Sequence, residues 1–278
     1  MFQRLQYSWE LVKQSMAVLR ADKELIVFPI IAAVACIFVF ASFITLIVLT
    51  SEGDTLLTED GPSVLGTVVM FLFYVVSYFM VLFANSALVG AALIRLRGGD
   101  PTVSDGLRIA REHFVQILGY AVIAATVGAV LRLISERSGA IGRFVVDLIG
   151  IGWSLATFLV VPILVTEDVG PIEAVQRSGA LLKRTWGEQV DGRFSIAMVF
   201  GLMIFALILI TVLLFTIVGS AESMGFFIPI VGIAMILLGL LSSTLSGIHA
   251  AAVYQYATTG EAGDFFDVQM IKSSFKQR

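Results

Sequence analysis

Six apolar runs alternate with short polar stretches along the chain, at about 25–50, 63–94, 114–134, 144–166, 194–219 and 226–256. Each reaches the ~20 residues that carry an α-helix across a bilayer's hydrocarbon core. Extended strands of that length would leave their backbone groups unpaired in lipid, so helices are the expected solution. The second and sixth runs exceed 30 residues. At ~1.5 Å per residue they outreach a core of roughly 30 Å, which predicts tilt or extension past the membrane.

The polar stretches have a period of their own. Phe2, Leu5, Trp9, Val12, Met16 and Leu19 alternate three and four apart before the first run. That spacing places an apolar stripe along one side of a helix. Val103, Leu107, Ala110, Phe114 and Ile117 repeat it before the third run, and Ile172, Val175, Gly179, Leu182 and Trp186 before the fifth. A weaker version, Phe265, Val268, Ile271 and Phe275, lies in the tail. Asp100-Pro101 and Gly170-Pro171 supply helix starts, a capping residue type followed by a proline suited to the first turn, and Asp264 is placed to cap the tail helix. Such stripes lie flat at a membrane surface or pack against the ends of the spans; their pattern fits both.

The order of elements suggests three repeats of one amphipathic helix and two spans, at 1–97, 98–168 and 169–260, with an amphipathic tail over 261–278. "SWELVKQS" (8–15) and "SGALLKRT" (178–185) agree at Ser, Leu, an aliphatic, Lys and a hydroxyl residue. "SALVGAALIRLRGGD" (86–100) aligns without gaps to "GIHAAAVYQYATTGE" (247–261). Alternation alone is also what any protein built of helical hairpins shows. The fold class expected is an all-α membrane protein, a single integral domain of six transmembrane helices with amphipathic helices on the cytoplasmic side.

Composition agrees with the pattern. Hydrophobic residues make up 58% and charged residues 14% of 278, against roughly 25% charged in a soluble domain. The net charge of −3 argues neither for nor against a partner, and with no block of basic residues nucleic-acid binding is discarded. Cys36 is the single cysteine, so no internal disulfide exists. "AVAC" (33–36) echoes a lipoprotein cleavage site, but the apolar run continues past it, as a transmembrane cysteine requires.

Charge sets the orientation. The N-terminal segment, the 95–113 and 167–193 connections and the tail hold 15 of the 18 Lys and Arg residues. The 51–62 connection has none and carries Glu52, Asp54, Glu59 and Asp60. Basic connections stay in the cytoplasm. Both termini are therefore expected there, in a multi-pass protein of a prokaryotic inner membrane. Arg132, Arg137 and Arg143 break the rule. Arg143 is one helical turn from Asp147 and could pair with it, with Arg132 as the alternative partner.

Few residues within the spans carry chemistry. Asn85 and His249 are the strongly polar candidates, as a site for an ion or headgroup or as interhelical hydrogen bonds. Gly239, Ser243, Gly247 and Ala251 form a four-residue ladder in the sixth span, expected as a close helix contact within the bundle or between copies. At the membrane boundary Trp9, Arg177, Lys183, Arg184 and Trp186 are placed to anchor on headgroups. Two histidines, His113 and His249, cannot build a histidine-rich metal site, and neither a phosphate loop nor HExxH occurs. "AESMG" (221–225) lacks the first glycine of a nucleophile elbow. No catalytic, cofactor or metal residues are expected, and the chain is not read as an enzyme.

"VPILVTEDVGPIEAVQRSGALLKRTWGE" (161–188) resembles the signature of a set of prokaryotic six-span proteins, similar to the membrane domain attached to some glycerophosphodiester phosphodiesterases. Pro162, Glu167, Asp168, Gly170, Pro171, Ala174, Ser178, Leu181, Lys183 and Trp186 carry the likeness. It implies a membrane family and association with lipid; the phosphodiesterase's catalytic residues have no counterpart. The expected role is a lipid-associated scaffold or oligomeric assembly, with membrane lipids and copies of itself or another membrane protein as partners. The alternative is a small transporter or channel with its path between the repeats.

Overall fold

In the computed structural model, residues 2–50, 57–58, 61–186, 196–218, 221–261, 263–267 and 269 are described. Apart from a two-residue antiparallel ladder, Leu57–Thr58 with Gly61–Pro62, their regular structure is helical. The helices are α1 (Phe2–Ala21), α2 (Val27–Thr50), α3 (Val64–Leu96), α4 (Val103–Glu112), α5 (Phe114–Arg137), α6 (Ala140–Ala156), α7 (Val160–Thr166), α8 (Pro171–Trp186), α9 (Ile196–Val218) and α10 (Ala221–Thr259). A 3-10 turn, Lys23–Ile26, joins α1 to α2.

Among the described residues, five segments are long and apolar enough to cross a membrane: Lys23–Leu49, Val64–Leu96, Phe114–Arg137, Ile141–Thr166 and Ile228–Thr259. These make the chain a multi-pass membrane protein. Helix α9 occupies the fifth predicted run and contains the apolar stretch Val199–Leu213. The predicted runs and the observed helices agree to within a few residues, because length and hydropathy dominate both. The acidic residues Glu52, Asp54, Glu59 and Asp60, the basic residues Arg193, Lys272, Lys276 and Arg278, and most of the tail stripe lie outside the described residues.

The chain divides into two compact units. Unit one comprises residues 1–27, 91–101 and 182–278. There α9 packs along α10, and α1 packs on both, burying Leu11, Val12, Val18 and Leu19. The C-terminal end of α3 closes with a Schellman turn: Gly99 N–H donates to Ile94 O and Gly98 N–H to Arg95 O, both at 3.0 Å. Gly98 takes φ +85°, which costs a side chain roughly 1–2 kcal/mol.

Unit two comprises residues 28–90 and 102–181. Aromatic rings join its helices: Phe43 meets Phe73 edge-on between α2 and α3, and Phe79 meets Phe114 between α3 and α5, each at 5.0 Å. Small residues set its closest approach. A Cβ on Gly106 of α4 would lie 2.6 Å from Ala87 O and 2.5 Å from the Phe28 ring. One on Gly90 would lie 3.0 Å from Ile109. The small residues of α3 thus seat an amphipathic helix against it.

Several local expectations are corrected. Helix α4 is capped by Thr102, not by Asp100-Pro101. The Thr102 hydroxyl accepts from Asp105 N–H at 3.2 Å while Thr102 N–H donates to Asp105 Oδ2 at 3.1 Å. A capping side chain must stand directly before the first helical residue, and Asp100 is two positions too early. The Thr102 hydroxyl's own hydrogen bond, then its N–H and Arg108, hold the Asp105 carboxyl below the usual carboxylate range. In the tail, Asp267 Oδ1 accepts from Gln269 N–H at 2.8 Å, while the helix that Asp264 was expected to cap lies outside the described residues. Arg132 pairs with Glu136 at 2.8 Å and Arg143 donates to Ser138 O at 3.4 Å, which leaves Asp147 exposed.

Candidate functional site

The fourth span is broken, and the break is the most constructed polar feature of unit two. Proline has no N–H and its ring clashes with the carbonyl four residues earlier, so it cannot follow a continuous helix comfortably. Pro162 would clash with Phe158 O. The chain responds by ending α6 at Ala156 and starting α7 at Val160, which puts Pro162 in a first turn where no N–H is needed. Leu159 N–H then loses its place in a helix ladder. It donates instead to Ser178 Oγ of α8 at 3.0 Å, and both residues are fully buried.

Helix α8 is positioned for that bond. It starts at Pro171, as predicted, with Pro171 packed 3.1 Å from where a Cβ on Gly119 of α5 would stand. Arg177 forms an ion pair with Glu167, whose carboxylate is largely buried at the end of α7. The buried row of α8 is Ala174, Ser178 and Leu182. This corrects the stripe read through Ile172, Val175 and Gly179: Ile172 is 65% exposed. A stripe sums hydrophobicity, whereas close contact between helices selects small side chains, here Ala174 and Ser178. Helix α4 shows the same shift, burying Gly106 and Ala110 while Leu107 is half-exposed and Phe114 exposed.

Along α5 and the start of α8 runs an open groove of about 960 Å³. Val115, Leu118, Val122 and Ile123 form its apolar wall, and Glu173 and Gln176 stand at its polar edge.

Unit one buries a second set of polar groups. Asp22 follows α1 and is 6% exposed; its Oδ1 accepts from Glu24 N–H at 3.2 Å. Burial pushes the Asp22 carboxyl above the usual carboxylate range, opposed by the Glu24 N–H and by the charge on Arg95. Arg95, in the last turn of α3, donates through Nη1 to Gly99 O and to Asp100 Oδ1, both at 3.3 Å. Ser8, Ser15 and Gln255 are also buried in this unit, Ser15 completely.

Of the residues singled out by sequence, Trp9 is 48% exposed, and Arg177, Lys183 and Arg184 are exposed on α8. Trp186 ends α8, and its side chain lies outside the described residues. Asn85 is half-buried in unit two and His249 buried in unit one, so each is a local feature of its own unit. The sixth-span ladder divides: Gly247 and Ala251 are buried, whereas Ser243 is exposed and Gly239 meets nothing within 4 Å. Asp22, Ser15 and Ser178 escaped sequence reading as polar sites. The available signal was Ser8, Ser15 and Asp22 at seven-residue intervals, which puts them on the same side of α1 as its buried leucines and valines.

No curated protein and no solved structure matches this chain, and nothing found links it to glycerophosphodiester phosphodiesterases. One family model does match, over residues 64–265. That covers α3 through α10, which contain four of the five crossing segments. The chain belongs to the family of unknown function DUF6159.

Proposed function

We propose that this protein is a non-enzymatic, lipid-associated scaffold of a prokaryotic inner membrane, with six spans, both termini in the cytoplasm and three repeats of amphipathic helix plus hairpin. The observation that carries this reading is the outward face of the amphipathic helices. Their small residues turn inward, while α1 leaves Trp9 exposed and α8 leaves Ile172, Lys183 and Arg184 exposed. A helix with an aromatic or aliphatic residue beside basic ones is suited to a headgroup layer, and anionic lipid attracts each nearby Lys or Arg by ~1 kcal/mol. The apolar groove beside α8 is suited to an acyl chain. On this reading α9, 23 residues over Ile196–Val218, is the sixth span. The recurrence of an amphipathic helix before each pair of spans supports the repeat.

The test is the lipid retained on the purified protein. Replacing Lys183 and Arg184 together by glutamine should reduce bound phosphatidylglycerol relative to phosphatidylethanolamine, read by native mass spectrometry, by about tenfold or more. An unchanged ratio would remove the basis for this reading. The broken fourth span favours a second one, a small transporter or channel, since discontinuous helices line many transport sites. Unchanged lipid content together with solute flux in proteoliposomes would select it.

A further inference from the structure

The groove of unit two has two walls of different chemistry. On α5, Val115, Leu118, Val122 and Ile123 recur at helical spacing over about 12 Å of the helix. Val115 is 75% exposed, and Leu118 and Val122 are exposed with it. All four belong to Phe114–Arg137, a segment apolar enough to cross a membrane, so what lies against them is hydrocarbon. The facing wall is the first turn of α8, from Gly170 to Glu173. With no side chain at Gly119, α8 starts close against α5, and the two surfaces meet at a concave angle. Val115 is the second residue of α5, so the groove begins at the end of the span, where headgroups stand.

The polar edge decides which headgroup fits. Glu173 and Gln176 are three residues apart, neighbours on one side of α8. Both are exposed, and neither forms an ion pair among the described residues. Arg177, the next cation along α8, is paired with Glu167. Lys183 lies about 15 Å further along the helix from Glu173, and Arg184 beyond it. An anionic headgroup here meets a carboxylate with no cation to offset it. A quaternary ammonium brings the right charge but no N–H to donate. A primary ammonium brings the charge and three N–H donors, enough for the Glu173 carboxylate and the Gln176 carbonyl together. We propose that the groove binds a net-neutral phospholipid with a primary-amine headgroup, of the phosphatidylethanolamine class. Its ammonium sits on Glu173 and Gln176, and one acyl chain lies along Val115, Leu118 and Val122. The inference rests on the lipid reading above and adds an opposite preference to it. Helix α8 takes an amine headgroup at its first turn and anionic lipid at its last.

The experiment uses the full-length protein in nanodiscs of equal phosphatidylethanolamine, phosphatidylcholine and phosphatidylglycerol. Native mass spectrometry counts the lipid retained on release into detergent. A phosphatidylethanolamine carrying a diazirine in one acyl chain locates the site by peptide mapping, and its cross-link should fall within residues 115–123. Glu173→Gln, an exposed substitution of nearly equal size, should lower the retained ratio of phosphatidylethanolamine to phosphatidylcholine by about five- to tenfold. Phosphatidylglycerol should not fall with it. Glu173→Lys should turn the preference toward phosphatidylglycerol. A ratio unchanged by Glu173→Gln, a lipid cross-link only outside the groove, or a groove covered by a second copy of the chain would overturn the site. The two readings fail separately. An unchanged lipid ratio on replacing Lys183 and Arg184, with the Glu173 effect intact, sinks the anionic preference alone; the reverse sinks the amine site alone.

Discussion

Gly106→Val is expected to cost at least about 3 kcal/mol of stability and to unseat α4, read as a lowered unfolding midpoint and loss of folded protein in the membrane. The first atom of the new side chain would lie 2.6 Å from Ala87 O and 2.5 Å from the Phe28 ring. A flexible side chain could give way, but a backbone carbonyl inside α3 cannot move without breaking that helix's ladder. The strain therefore falls on α4, a ten-residue helix held by its capping box and by Gly106 and Ala110. Gly179→Ala is the control. Its Cβ meets nothing within 4 Å. Exchanging glycine for alanine in an open helical position should stabilise by roughly 0.5–1 kcal/mol. Opposite signs at two helical glycines would separate close contact from helix propensity.

Ser178→Ala is expected to cost about 1–3 kcal/mol, the penalty of leaving a buried backbone donor unsatisfied. The donor is Leu159 N–H, which has Ser178 Oγ at 3.0 Å in place of a helix carbonyl. The cost should depend on Pro162, because the proline is what interrupts the helix. In a Pro162→Ala background α6 and α7 can join, Leu159 N–H can return to a helix ladder, and Ser178→Ala should become nearly neutral. Equal costs in both backgrounds would show that the serine stabilises α8 for some other reason. Melting of the four proteins in one detergent measures the coupling directly.

These two sites mark the limit of what the sequence makes legible. The spans are readable because about twenty apolar residues in a row have few other uses, and α3, α5 and α10 lie where hydropathy puts them. The existence of α1, α4 and α8 is readable from three-and-four spacing. Which side of α4 and α8 faces inward is not, because their contact with the rest of the protein is made by Gly106, Ala110, Ala174 and Ser178. These residues add little to a hydrophobic stripe, and their value is the room they leave. The polar groups of unit one were hidden for a different reason. Asp22 counts in sequence as one more acid before a span, and only its burial sets it apart.

Helix α8 therefore ties a surface segment to the interior of a span. Its exposed side carries Ile172, Lys183 and Arg184; its buried side holds Leu159 N–H at the break in the fourth span. A displacement of α8 would strain that bond. This link gives the lipid reading a route into the membrane interior.

The topology beneath this architecture is tested most directly by side-specific thiol labelling. Cys36 is the single native cysteine, so Cys36→Ala gives a silent background for Glu52→Cys and Lys183→Cys. With a membrane-impermeant maleimide, Glu52→Cys should react in intact cells and Lys183→Cys only in inverted vesicles. Reaction of both from the same side, or labelling of Lys183→Cys in intact cells, would contradict it.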